Sequence, residues 1–267
     1  MPQPALIVAH PGHELMVLGW VEETRPRVFI LTDGSGRSGA SRIGSSENVL
    51  RAAKAEAGSV WGAMTDQAFY QAILDGKTAL FVDLAVRLGR ELAKMKAPYV
   101  AGDAREGFNP THDVCRMIID AAVRRASGDG ASIENYAFLL FSPHEKAPRE
   151  GAIYRTLSET ELERKLAAGR AYPELAAEAE VAFSGTSRKI LGDHQDLAAI
   201  VDASIEGIGE ASFGVECLVP AAALPRVNAE RPFYEIYGER LVASGKYQRA
   251  IRYREHVQPI ERALAAL

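Results

Sequence analysis

Apolar and polar positions fall into blocks along the first half of the chain, and the blocks have two periods. Ala5–Ala9 is an unbroken apolar run of strand length, as a strand covered on both faces requires. Val28–Leu31 repeats it, and His13–Glu23 between the two is expected to be helical, so the segment predicts a βαβ unit. Gly34-Ser35-Gly36-Arg37-Ser38-Gly39 then forms a loop. Ser45 or Ser46 can cap the next helix, expected to run through Val49, Ala52, Ala53, Ala57 and Val60 to about Ala63. A further helix is predicted over about Thr78–Lys96, because Leu80, Leu84, Leu88 and Leu92 recur at four-residue steps on one face. Tyr99–Ala101 is a third strand, Gly102–Thr111 a loop, and His112–Arg125 a helix with a stripe of Val114, Met117, Ile118, Ala121 and Ala122. Tyr136–Phe141 supplies a fourth strand.

The alternation stops after Pro143. Leu157–Ala182 and Leu191–Ile208 are expected to be helical, Val215–Val219 has the composition of a strand, and the segment Phe233–Leu267 returns to helix. No internal repeat or low-complexity linker divides the chain. The expected fold is therefore one α/β domain over residues 1–267: a Rossmann-like, mostly parallel sheet flanked by helices in 1–142, with a mainly helical extension, 143–267, packed on it.

Composition narrows the partners. A chain of 267 residues, 47% hydrophobic, is long enough to bury a full core. With a net charge of −4 there is no basic footprint for nucleic acid. No apolar stretch approaches the length of a membrane span and no signal-type segment precedes Ala5, so a cytoplasmic protein without a membrane partner is expected. Cys115 and Cys217 stand in apolar contexts that suit buried thiols. The oligomeric state is left open, a homo-oligomer included.

The chemistry concentrates where the first strand ends, in His10-Pro11-Gly12-His13-Glu14. Pro11 and Gly12 permit a sharp bend, which aims two imidazoles at one point at the lip of the sheet. Asp33 and Asp103 should emerge in the same crevice, beyond the carboxyl ends of the strands. His112, approached through Asn109-Pro110-Thr111, is the natural third ligand of a zinc-type site with a position left for water. His144 and His194 have no motif around them. The glycine loop lacks the Gly-x-Gly-x-x-Gly spacing and acidic partner of a dinucleotide site.

On these residues the chain resembles the PIG-L, or LmbE-like, family of zinc-dependent deacetylases. Ala9-His10-Pro11-Gly12-His13-Glu14 is similar to the family's Ala-His-Pro-Asp-Asp-Glu, Leu31-Thr32-Asp33-Gly34 to its glycine-rich loop, and Asn109-Pro110-Thr111-His112 to its His-Pro-Asp-His. The resemblance covers roughly the first 140 residues. It implies a Rossmann-like fold, a divalent metal such as Zn2+, and removal of acetyl groups from amino-sugar derivatives. His10 and His112 match two metal ligands, and His13 stands at the position of the aspartate ligand. Gly12 replaces the aspartate that serves as general base, Asn109 a histidine and Thr111 another aspartate.

Amide hydrolysis then needs a replacement proton acceptor. Glu106, on the same loop as His112, is the first choice, with Glu14 and Asp103 behind it. Asp33, Arg37, Arg42 and Asn109 are candidates for contacting a small substrate, expected to be a sugar derivative. Glu14 and Asp113 also suit the task of orienting ligand histidines or helix backbone. Two alternatives accompany the deacetylase: reuse of the metal site for another metal-assisted reaction on a small polar substrate, and a non-catalytic descendant that binds metal or ligand.

Overall fold

In the computed structural model, which describes residues 2–36, 39–128, 130, 132–140, 147–174, 213–224 and 231–267, the sheet grows outward from a central apolar strand. Strands β1 (Ala5–Val8), β2 (Arg27–Thr32), β3 (Glu56–Met64), β4 (Tyr99–Gly102), β5 (Glu134–Ala137), β6 (Ile153–Thr156) and β7 (Val215–Pro220) form one sheet in the order β3-β2-β1-β4-β5-β7-β6. The first five are parallel; β7 pairs antiparallel with β5, and β6 antiparallel with β7. The helices among the described residues are α1 (Leu18–Thr24), α2 (Ile43–Ala53), α3 (Asp66–Leu74), α4 (Thr78–Met95), α5 (Pro110–Gly128), α6 (Glu159–Arg170), α7 (Phe233–Ala243) and α8 (Gln258–Ala265).

Side chains alternate across a strand, and both sides of β1 are buried. Ala5 and Ile7 point with Phe29, Leu31 and Val100 into the core beneath α4, α5 and α8. Leu6 and Val8 point with Val28 and Ile30 into the opposite core, against Trp20, Val21 and Leu50. A strand covered twice has no polar face to show, which is why Ala5–Ala9 carries no alternation.

The structure departs from the sequence reading in four places. The helix expected to reach Ala63 ends at Ala53: Lys54 turns to φ 56° and closes α2, and residues from Glu56 form β3 at the sheet edge. The apolar spacing of Val49, Ala53, Ala57 and Val60 fits a helix, but a Cβ on Gly58 would lie 2.2 Å from the Phe29 ring, so the strand lies against Phe29 only with glycine there. The segment 66–74, assigned no element from sequence, is α3, capped by Thr65, whose hydroxyl accepts from Ala68 N at 3.1 Å. Beyond 142 the strand expected over Val215–Val219 is present as β7, and the addition is β6, Ile153–Thr156, which pairs with it and widens the sheet through β5. Within His13–Glu23 the chain makes a 3-10 turn, His13–Val17, before α1 begins. Phe141, residues 175–182 of the helix expected from Leu157, and Leu191–Ile208 lie outside the described residues, as do His144 and His194.

Candidate metal centre

β1 delivers His10 at its carboxyl end, and Gly12 then takes φ 104°, a left-handed turn open to glycine. His13 follows at once as the first residue of the 3-10 turn, held by Leu15 N donating to Gly12 O at 3.1 Å. His112 sits in the first turn of α5, after Pro110, whose fixed φ suits a helix start. Gly102 ends β4 so close to β1 that a Cβ on it would lie 2.3 Å from Ile7 O. That approach lets Asp103 accept from Ala9 N at 2.8 Å. All of these lie where β1 separates β2 from β4, the point at which the order of parallel strands reverses and open α/β sheets form their crevice.

The three rings meet there. Centroids are 5.4 Å apart for His10 and His13, 5.1 Å for His10 and His112, and 4.6 Å for His13 and His112. Imidazoles sharing one tetrahedral zinc at the usual Zn–N length have centroids about 5 Å apart. Two rings are anchored from behind. His10 Nδ1 lies 2.7 Å from Thr32 Oγ1 and 2.9 Å from Asp66 Oδ1, and His13 Nδ1 lies 3.0 Å from both Asp103 oxygens. An ionised carboxylate only accepts, so each Nδ1 carries the proton that faces it. Among the described residues, no group of three or more His, Cys, Asp or Glu side chains, this triad included, has the geometry to hold a metal ion as it stands. The rings are gathered at one point without that geometry.

Burial sets the protonation. It holds His112 well below the usual histidine value, with His13 and His10 adding to the effect, so its imidazole is neutral. Burial also opposes charge on His13, but the Asp103 carboxylate outweighs it and raises that pKa. Asp66 shows the opposite balance: desolvation works against its charge, yet the hydrogen bonds from His10, Thr32 and Gly36 keep it well below the ordinary carboxylate range. Imidazole nitrogens backed by carboxylates are a donor chemistry that suits zinc.

The other expected residues are spread around this centre. Asp103, with 0% exposure, holds His13 and the backbone. Glu14 is sealed beneath the turn, accepting from Gly12 N at 2.7 Å and Ser46 Oγ at 2.5 Å, and burial raises its pKa. Glu106 is the half-buried member of the three carboxylates: its Oε2 accepts from Leu140 N at 2.7 Å, and its own N donates to Asp113 at 3.2 Å. Burial pushes the Asp113 carboxyl up to about 7. Asp33 Oδ1 accepts from Ser35 N and Oγ, pinning the glycine loop over which the Arg42 side chain lies. Asn109 Oδ1 accepts from Tyr70 OH at 3.0 Å and Thr111 N at 2.8 Å. Arg37 lies outside the described residues. Asp66, Thr32 and Tyr70 were missed from sequence; a Thr-Asp pair ahead of Phe69 and Ile73 was the available sign that a helix begins there, but nothing in it pointed to His10.

Fold and crevice define a Rossmann-like α/β protein with a mixed, mostly parallel sheet. Neither a protein-family model nor a curated protein matches the sequence. Among solved structures it is similar to the conserved protein TT1542 from Thermus thermophilus, at 16% identity with a TM-score of 0.50, over 86% of this chain and 100% of that one. At that identity the likeness speaks for the fold alone.

Proposed function

We propose that this chain is a metal-dependent hydrolase of the PIG-L kind, cleaving an N-acyl amide on an amino sugar or sugar conjugate in the cytoplasm. The observation that carries the reading is the convergence of three histidine rings, 4.6–5.4 Å apart, at the carboxyl edge of the sheet. His10 and His13 would hold a divalent ion, such as Zn2+, through Nε2, with His112 as third ligand. A bound ion supplies Lewis acidity, which makes water easier to ionise and a carbonyl easier to attack. Asp66 and Asp103 fix the rings. Glu106, kept at the crevice by Leu140 N and by the Asp113 bonds to its loop, is the proton acceptor. It takes a proton from the attacking water as the carbon–oxygen bond forms, and returns it to the nitrogen as the carbon–nitrogen bond breaks. Asn109, whose Oδ1 is already engaged, offers Nδ2 to a substrate oxygen, and Arg42 offers its guanidinium.

Amine release from a panel of N-acetylated amino sugars, measured beside metal analysis, tests this. Wild-type protein should carry close to one ion and release amine, His13→Ala should lose most of the ion, and Glu106→Gln should lose at least about 100-fold in rate while keeping it. No amine release with the ion bound sinks the deacetylase and favours reuse of the site or loss of turnover. A second reading rests on the His13–Asp103 pair, whose carboxylate raises the His13 pKa against burial. It makes His13 a metal-free acid–base group, and undiminished activity after treatment with a chelator would select it.

A further inference from the structure

The two carboxylates behind the histidines are tied to different things. Asp103 puts its second bond on Ala9 N, at the end of a strand buried on both faces, so His13 is referred to the rigid sheet. Asp66 reaches in the opposite direction. While Oδ1 faces His10 Nδ1 at 2.9 Å, Oδ2 accepts from Gly36 N at 2.7 Å, and the Asp66 backbone N donates to Asp33 Oδ1 at 3.3 Å. Asp33 Oδ1 in turn accepts from Ser35 N at 3.0 Å and Ser35 Oγ at 2.6 Å. The loop presents Gly36 N to Asp66 only because Gly34 and Gly36 take φ 68° and 49°, conformations that L side chains rarely adopt.

We propose that Asp66 is a positioning residue that couples the glycine-rich loop to the histidine triad: through its two oxygens, the loop sets the tautomer and orientation of His10. This rests on the metal-centre reading and extends it. A substrate oxygen that takes Gly36 N–H away from Asp66 releases the bond that holds Oδ2, so occupancy of the loop and the donor strength of His10 are linked. Metal affinity should therefore respond to a residue that touches neither ion nor substrate. Asn at this position separates the two halves of the coupling. Its carbonyl oxygen can still accept from His10, whereas its NH2 meets the Gly36 N–H donor to donor.

The test uses the full chain and two readouts. The first is the His10 ring tautomer in metal-free protein, from nitrogen NMR of histidine-labelled samples. The second is Co2+ affinity by chelator competition. Wild type should show His10 protonated at Nδ1; Asp66→Ala should lose that preference and bind Co2+ roughly 10- to 100-fold more weakly. Asp66→Asn should keep the tautomer, exchange the Gly36 amide faster and bind Co2+ with intermediate affinity. It also carries the test if the alanine variant does not fold. An unchanged tautomer and unchanged Co2+ affinity in Asp66→Ala would overturn the proposal. His10→Ala is the reference for the site itself. If wild type and His10→Ala are equally unable to bind Co2+, the metal centre fails, and the tautomer and Gly36 exchange still decide whether Asp66 couples loop to ring.

Discussion

Two buried polar assemblies in this molecule obey opposite rules. In the first, Glu216 Oε1 accepts from Gly19 N and from Lys165 Nζ, both at 2.8 Å, Oε2 accepts from Trp20 N at 2.7 Å, and Lys165 Nζ also donates to Met16 O at 2.7 Å. Opposite charges meet, and each donor finds an acceptor, so β7 and α6 are fastened to the start of α1. In the second assembly, three groups of the same type face one another. His10 and His13 are each anchored through Nδ1 to a carboxylate, and their rings face each other and His112. A matched network serves stability, whereas a cluster of like bases is the arrangement that the proposed metal-centre reading gives a use.

The largest effect should come from breaking the matched network. Lys165→Met strands the Glu216 carboxylate in a site where its side chain is 1% exposed, and an uncompensated buried charge costs about 3–5 kcal/mol. Urea or thermal unfolding reads the loss. A variant as stable as wild type would show that water reaches Glu216 and that the fastening is weaker than its geometry. The triad should respond to an ion instead. At zinc concentrations near 100 times Kd, wild-type protein should gain about 2.7 kcal/mol, since the ligand binds only the folded chain. His112→Ala should gain almost nothing, and Lys165→Met should show the full increment from its lower baseline. Equal gains in wild type and His112→Ala would remove the contrast between the two assemblies.

Gly102 tests how firmly the second assembly depends on strand spacing. The methyl of Gly102→Ala would meet the Ile7 carbonyl oxygen, which is backbone and has no rotamer to escape by. A loss of about 2 kcal/mol is expected, and because Asp103 follows directly, the His13 tautomer preference should weaken too. A stable variant with His13 unchanged would mean that β4 can move away from β1 without disturbing the site.

Much of this was legible in the sequence where one local rule decides. Ala5–Ala9 and Val28–Leu31 announce strands buried on both faces, and Leu80, Leu84, Leu88 and Leu92 mark α4, because a single periodicity dominates each. His10 and His13 are adjacent across a turn, so their proximity follows from three residues of backbone. The rest depended on tertiary contact. Residues 56–64 are a strand because Gly58 fits against Phe29, a neighbour on another strand. β6 is separated from β7 by more than fifty residues of chain, and no local pattern records that they pair. Glu14 was a candidate base by its place beside His13, yet it faces inward to Ser46, which is 32 positions away. Asp66 lies 56 positions from His10, and its carboxylate becomes informative only once the fold brings it to Nδ1.

The smallest expected effect concerns Gly12, one of the positions at which the sequence departs from the motifs of the proposed deacetylase family. Gly12 stands where they have an aspartate, and its φ of 104° and ψ of −22° suit glycine far better than any residue with a Cβ. Its N–H also donates to Glu14 at 2.7 Å, and Glu14 is a buried carboxyl with a raised pKa, so a second carboxylate beside it would add repulsion. Gly12→Asp should therefore cost about 1 kcal/mol of backbone strain and yield no increase in amine release, while the matched Lys165–Glu216 network is undisturbed. On the proposed reading, acid–base chemistry in this chain belongs on the Glu106 side of the crevice. A Gly12→Asp protein that is fully stable and faster would reverse that assignment, because it would show that the backbone still accepts the side chain and that the missing base was the one defect of the site.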